Sequence, residues 1–260
     1  MKKFKEENQK SLAKSDNVLD SQLASQIDQI SNEYLSSTNE TEAKKPDLQQ
    51  LCEAAEEGRL EVVKELLEQG VDANEPDEYG NTALHYAISE GHFSIINLLL
   101  KYVTKLDLKD NDGFTPLHRA VARNYQFIAG KLLEKGAEII GDEDGNTPLH
   151  YAASENNLEL VQTILENYQG VKDIINEVNN FGWSIMHSAA HGITHKRVDW
   201  TIIEYLLKKG AKSDLKSKTD LTAWDAFFRV DYSYAAHYDK LVKKWADQQA
   251  RQIVNPKENF

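Results

Sequence analysis

Three histidines are spaced as metal ligands often are. His187, His191 and His195 lie four residues apart, so one continuous helix would place all three on the same face. Imidazole nitrogens arranged in this way can bind zinc. However, Gly192 is expected to end the helix before His195, and the pattern places no cysteine or acidic residue nearby. We therefore expect no metal and no other cofactor, with a histidine zinc site as the minor alternative.

The other residues that could do chemistry lack suitable partners. Cys52 is the only cysteine, and acidic neighbours would raise the pKa of its thiol, so it is expected to be a small buried apolar residue. Carboxylates cluster at 110–112 and 142–144 without the ligand order of a calcium loop, and they are expected to be solvated. The sequence contains no pattern for a nucleophilic serine, a phosphate-binding glycine loop or a zinc protease. It therefore predicts a protein that is not an enzyme.

Charge is distributed unevenly along the 260 residues. The chain has 30 basic and 42 acidic side chains, for a net charge of −12, and residues 47–180 alone have 25 acidic and 10 basic ones. Proteins that bind the phosphate backbone instead cluster lysine and arginine. The apolar runs are too short to cross a membrane, and no apolar stretch follows the charged amino terminus as in a signal peptide. We expect a cytoplasmic protein that neither binds nucleic acid nor inserts into a membrane.

One motif occurs four times at nearly constant spacing. It begins at Gly80, Gly113, Gly145 and Gly182, which are 33, 32 and 37 residues apart. The copies read GNTALHYA, GFTPLHRA, GNTPLHYA and GWSIMHSA, and an apolar stretch with helical periodicity follows each copy. Threonine or serine can cap a helix at this position, and proline is favoured in the first helical turn. Each unit is therefore predicted to be two helices joined by a turn, which can bury its apolar face only against another unit.

The motif resembles that of the ankyrin repeat family, G-x-T-P-L-H-x-A. The resemblance implies an all-α solenoid of helix-turn-helix units with finger loops. Asn124 and Asn156, which replace a glycine between the two helices, are expected to tolerate a left-handed backbone. In the last unit Asp220 stands where the motif glycine would be. The expected boundaries are a cap at 47–76, repeats at 77–109, 110–141, 142–178 and 179–216, and a cap at 217–250.

The segment before the repeats differs in composition. Residues 1–46 lack the apolar content of a folded domain and are expected to be largely disordered, with a second tail at 251–260. A helical periodicity at 16–35 predicts an amphipathic helix within the first tail. That helix would dock on the repeats or bind a protein partner, and it lacks the flanking basic residues of a membrane-surface helix.

The resemblance also implies that the chain binds another protein along a concave groove. The fingers and the exposed side of each first helix would form that groove. Carried over by position, its residues are Tyr79, Asn81, Glu90, Asp112, Phe114, Arg123, Asp144, Asn146, Glu155, Phe181, Trp183 and His191. Phe114 and Trp183 are expected to project from their fingers, as rings at protein interfaces do. The acidic stretch predicts a partner with a basic surface.

Three functions remain open for a chain that we expect to be a monomer. It resembles stand-alone ankyrin proteins of bacteria that live inside eukaryotic cells, which implies an effector that is secreted into the host cytosol and binds a host protein. The alternative is a resident cytoplasmic adaptor or inhibitor in the producing cell. A small enzyme or metal-binding protein is the third, and it is disfavoured because repeats occupy most of the chain.

Overall fold

The computed structural model describes residues 44–195, 200–228 and 237–247. The chain divides into two units, Met1–Gln50 and Leu51–Phe260. In the first unit only the start of one helix is among the described residues, and the helix predicted at 16–35 lies outside them. All the residues expected to bind a partner belong to the second unit.

The described residues form helices, with isolated β-bridges in two of the fingers. The helices are α1 (Lys44–Glu56), α2 (Leu60–Glu68), α3 (Ala83–Glu90), α4 (Phe93–Leu99), α5 (Pro116–Ala122), α6 (Gln126–Glu134), α7 (Pro148–Ser154), α8 (Leu158–Asn167), α9 (Val171–Ile174), α10 (Ile185–His195), α11 (Thr201–Lys208) and α12 (Ala223–Phe228). Residues 237–247 are also helical. The short α9 lies in the third repeat, where the chain exceeds the usual repeat length. The predicted all-α stack of helix-turn-helix units is confirmed.

The first and second helices of the repeats form separate layers. The first helices α3, α5, α7, α10 and α12 each contact the next in the series. Among the second helices, α2 contacts α4, α6 contacts α8, and α8 contacts α11. We call the two sets inner and outer helices. The core between them is apolar and fully buried, and its largest members include Leu84, Ile96, Leu117, Leu132, Leu149 and Leu160.

The motif residues determine where each inner helix starts. Thr115 and Thr147 are N-caps with extended backbone, and the hydroxyl oxygen of each accepts a hydrogen bond from the backbone N–H of the motif histidine. Pro116 and Pro148 follow them in the first helical turn, where a missing N–H costs no helical hydrogen bond. The local sequence thus positions the finger directly before each inner helix.

The turns that follow the inner helices need a left-handed residue. Asn124 and Asn156 have φ values of 59° and 52°, so the expectation for both asparagines is confirmed. Asp220 also has a positive φ, 60°, at the position of the motif glycine. Short polar side chains are the residues other than glycine that tolerate this conformation best.

The expectation that Gly192 ends its helix is wrong. α10 continues to His195 and has 11 residues, whereas α5 and α7 have 7 each. A Cβ atom at Gly192 would lie 2.3 Å from the carbonyl oxygen of Ser154, the last residue of α7. Glycine is therefore present here because two inner helices approach each other closely, and not because the chain turns.

Candidate protein-binding surface

Each of the four fingers, the loops that lead into α3, α5, α7 and α10, folds around one polar side chain that accepts hydrogen bonds from its own backbone. Oδ1 of Asp110 accepts the N–H of Asp112 at 3.0 Å and that of Phe114 at 2.8 Å. The same two bonds, to the residues two and four positions later, are made by Asp77, Asp142 and Asn179. The fingers are therefore held in shape before any partner binds.

The remaining carboxylate oxygens connect the fingers to the inner helices. Oδ2 of Asp110 accepts hydrogen bonds from the guanidinium of Arg119, and Oδ2 of Asp142 accepts the hydroxyl of Tyr151 at 2.5 Å. Asp110 and Asp142 are buried. The expectation that these acidic clusters are solvated is thus wrong for their first residues, while Asp112 and the residues at 143 and 144 are exposed.

The motif histidine links each repeat to the next finger. Nδ1 of His118 accepts the backbone N–H of Thr115 at 3.2 Å, so Nε2 carries the proton and donates to the carbonyl oxygen of Asn146 at 3.0 Å. The other three motif histidines bond in the same way to the carbonyl oxygens of Phe114, Trp183 and Leu221. Burial lowers the pKa of all four imidazoles, to about 4 for His85.

The same hydrogen bonds involve His187, one of the three histidines that the sequence offers as zinc ligands with His191 and His195. Both ring nitrogens of His187 are engaged, with Ser184 and with Leu221. His191 is exposed, and the side chain of His195 lies outside the described residues. The described part of the chain contains no group of three or more side chains that could hold a metal ion.

The residues expected to bind a partner form three rows along the stack. The first row consists of the finger tips, directly before each motif glycine: Tyr79, Asp112, Asp144 and Phe181. All four are exposed, with 59% of Tyr79 and 53% of Phe181 accessible to solvent. Backbone N–H groups of the following finger donate to the carbonyl oxygens of Tyr79, Asp144 and Phe181 at 2.8 to 2.9 Å. Neighbouring tips are therefore in register.

The second row follows the motif glycines at the finger bases: Asn81, Phe114, Asn146 and Trp183. All four are half-buried. The ring of Phe114 stacks on His118, with centroids 5.5 Å apart, and that of Trp183 stacks on His187 at 6.2 Å. The expectation that Phe114 and Trp183 project from their fingers is therefore wrong. Each ring lies on its own inner helix, because the motif histidine four residues later is under it.

The third row follows the inner helices: Glu90, Arg123 and Glu155 lie at the carboxyl ends of their helices, and His191 lies one position earlier in its repeat, within α10. All four are exposed. The guanidinium of Arg123 is 4.0 Å from the carboxylate of Glu90. In the fourth repeat the second and third rows meet, since the rings of Trp183 and His191 lie 5.6 Å apart.

Sequence reasoning missed a further row, the variable position between the histidine and alanine of the motif. Tyr86, Arg119 and Tyr151 occupy it and are half-buried. The ring of Tyr151 meets Phe114 edge-on at 5.6 Å, and the guanidinium of Arg119 lies 5.4 Å from the centre of the Phe114 ring. The signal was present in the sequence, because large side chains recur there at the repeat period.

Cys52 behaves as its sequence context predicts. Its side chain is buried, and burial raises the pKa of the thiol to about 12, with further contributions from Asp77, Glu53 and Glu56. A thiol with so high a pKa is a poor nucleophile at neutral pH.

Comparison with known proteins agrees with the repeat architecture. A family model described as ankyrin repeats (3 copies) matches residues 51–141 and 139–219. The chain belongs to the ankyrin repeat family. Among the described residues, none of the ankyrin helices is long and apolar enough to cross a membrane.

Several solved structures are similar over most of this chain. An ankyrin repeat domain from Acinetobacter baumannii AYE, ABAYE2397, is 27% identical with a TM-score of 0.67. A chain from the complex of the predatory endopeptidase Bd0816 of Bdellovibrio bacteriovorus with the immunity protein Bd3460 is 33% identical with a TM-score of 0.63. The ankyrin repeat protein EF0377, 22% identical with a TM-score of 0.66, shares the fold. Each alignment covers 75% of this chain and 97% of the other. No curated protein matches the chain.

Ankyrin repeats indicate a protein–protein interaction module, and the fold is generally a non-catalytic one.

Proposed function

We propose that this ankyrin protein binds a partner protein, without catalysis, through the three rows of residues described above, which we call the finger surface. The observation that carries the proposal is the exposure of two aromatic rings, Tyr79 and Phe181, at finger tips that are otherwise polar. Aromatic rings surrounded by polar residues are enriched at protein interfaces and contribute much of their binding energy. A bound partner would remove both rings from water.

Charge supports a partner with a basic surface. Glu78, Asp112, Glu143 and Asp144 are exposed on neighbouring fingers. None of these four carboxylates forms an ion pair with another described residue. Unpaired carboxylates on one surface attract lysine and arginine side chains and repel acidic ones.

Two cellular roles are compatible with such binding by a monomer. In one, the protein is a bacterial effector that acts on a host protein in the host cytosol. In the other, it is a resident inhibitor of an enzyme in the producing cell. The 33% sequence identity to a chain from an endopeptidase–immunity protein complex supports the second role.

Affinity capture with the full-length chain tests the proposal. Wild type, Tyr79→Ala/Phe181→Ala and the control Phe93→Ala/Phe127→Ala are used as baits, because Phe93 and Phe127 are also exposed rings, at 47% and 68%, but lie on outer helices. A partner that is retained by wild type and the control but lost by the finger variant supports binding at the finger surface. Loss with the control alone would place binding on the outer helices and contradict the proposal.

The source of the captured partner separates the two roles. Lysates of the producing cell and of a eukaryotic host are compared with the same baits. An enzyme from the producing cell whose activity falls on addition of the wild-type chain supports a resident inhibitor. A host protein captured only by baits with intact finger tips supports an effector.

A further inference from the structure

We propose that the finger surface recognises a linear segment of its partner that has two apolar anchor residues separated by about four positions rich in lysine or arginine. This inference rests on the proposed function and specifies the partner's chemistry. It depends on two aromatic clusters, Phe114 with Tyr151 and Trp183 with His191, and on the carboxylates between them.

The first cluster is held in place without a partner. The ring of Phe114 stacks on His118, meets Tyr151 edge-on at 5.6 Å, and has the guanidinium of Arg119, which is bonded to Asp110, 5.4 Å from its centre. The hydroxyl of Tyr151 donates to Asp142, and both rings are half-buried, so each keeps part of its surface accessible. Rings that are already ordered lose little conformational entropy on binding, which makes them effective anchors.

The second cluster joins the half-buried ring of Trp183 to the exposed side chain of His191, in a stretch of sequence particular to the fourth repeat. Ten residues after the motif glycine, the first three repeats have Glu90, Arg123 and Glu155, whereas the fourth has Gly192. The helix continues through Gly192, so His191 stays on the inner helix, tilted against Trp183 at 5.6 Å.

The distance between the clusters determines the length of the segment. Phe114 and Trp183 are equivalent residues two repeats apart. Packed helices lie about 8–10 Å from each other, so the two anchors are separated by about 16–20 Å. An extended chain rises about 3.3 Å per residue, and five or six steps therefore connect the anchors.

The charge between the anchors determines the type of residue that connects them. Asp112, Glu143 and Asp144 are exposed on the second and third fingers and have no ion-pair partner among the described residues. The rings provide the binding sites, and the carboxylates select against acidic or uncharged connecting residues.

Selection from an unbiased library of random linear peptides, displayed on phage against the full-length chain, tests this inference. We expect the enriched peptides to have apolar residues five or six positions apart with lysine or arginine between them. Enrichment of acidic or uncharged peptides, enrichment without this spacing, or the absence of any binding peptide would overturn the inference.

Variants then locate the selected peptide on the surface. Phe114→Ala and Trp183→Ala should each weaken binding about tenfold or more, as loss of an anchor does. Asp112→Lys/Asp144→Lys should weaken it to a similar extent, whereas Glu68→Lys/Glu134→Lys, the same charge change on exposed residues of outer helices, should not. The tip carboxylates are exposed, so this pair remains informative even if a ring variant fails to fold. Equal effects of the two charge variants would overturn the inference.

The outcomes separate this inference from the proposed function. Peptides that lack basic residues but lose binding with Tyr79→Ala/Phe181→Ala would overturn the inference and leave the finger surface as the binding site. Peptides whose binding is unchanged by every finger variant but lost with Phe93→Ala/Phe127→Ala would overturn both the inference and the proposed function.

Discussion

Among single residues, the motif histidine has the clearest effect on how the repeats join. His150 satisfies the backbone N–H of Thr147 within its own repeat and the carbonyl oxygen of Trp183 in the next. Thr147 and His150 are buried, so water cannot easily replace either bond. One side chain therefore couples the start of an inner helix to the base of the following finger.

Removal of this side chain should be costly. We expect His150→Ala to lower the free energy of unfolding by about 2–4 kcal/mol, because it leaves a buried donor and an acceptor without partners and opens a cavity. Glu155→Ala, an exposed residue of the same repeat, should change it by less than about 0.5 kcal/mol. Urea unfolding of both variants measures the difference, and equal effects would contradict the role given to His150.

The same histidines should make stability depend on pH. Burial holds their pKa below the ordinary value of 6.5, at about 4 for His85. Between these values the unfolded chain binds more protons than the folded one, so stability is complete above about pH 6.5 and falls as the pH decreases toward 4. Urea unfolding across this range should show the decline, with a shallower slope for His85→Gln. Constant stability over this range would contradict the conclusion that the folded state keeps these imidazole rings neutral.

At the scale of elements, the packing of α10 on α7 distinguishes the fourth repeat. Its inner helix is longer than those of the other repeats, and it passes the end of α7 at a distance that excludes a Cβ atom at Gly192. Gly130 is also helical, in α6, but a Cβ atom there would meet only Cγ2 of Thr163, at 3.5 Å. The chain thus offers two helical glycines with opposite environments.

This contrast predicts opposite effects of the same substitution. Gly192→Ala should destabilise the protein by about 1–3 kcal/mol, because the helices must move apart. Gly130→Ala should be neutral or stabilise it by up to about 1 kcal/mol, because alanine favours a helix and nothing must move. Thermal melts of the two variants against wild type test this, and a loss of stability in both to the same extent would remove the packing explanation for Gly192.

For the molecule as a whole, charge varies with position along the stack. Residues 47–180 have 25 acidic and 10 basic side chains, whereas residues 181–260 have 9 acidic and 13 basic ones. A field of one sign over several fingers steers an oppositely charged partner toward the surface, and salt screens it over about a nanometre at physiological ionic strength.

Association kinetics should therefore depend on salt. We expect the association rate with a captured partner to fall as ionic strength rises, and the dissociation rate to change much less. Asp112→Lys/Asp144→Lys should flatten that dependence relative to Glu68→Lys/Glu134→Lys, which has the same net charge. Stopped-flow measurements at low and high salt give the association rates. An association rate of wild type that is independent of salt would exclude electrostatic steering.

The sequence by itself determined the local features of this protein. The repeat period, the caps at Thr115 and Thr147 and the left-handed asparagines at 124 and 156 all follow from residues a few positions apart, whose preferences operate within one turn. The rows of finger tips and finger bases follow as well, because the repeat period places equivalent residues above one another.

Only the tertiary structure decided which side chains meet between repeats. Phe114 and Trp183 were expected to project and instead lie on motif histidines, and Gly192 was expected to end a helix that continues past Ser154 of the preceding repeat. The bond from His150 to Trp183 joins residues 33 positions apart. Contacts between residues so far apart in the sequence depend on how closely two repeats pack. That distance depends on the side chains of both repeats, so no local sequence pattern contains it.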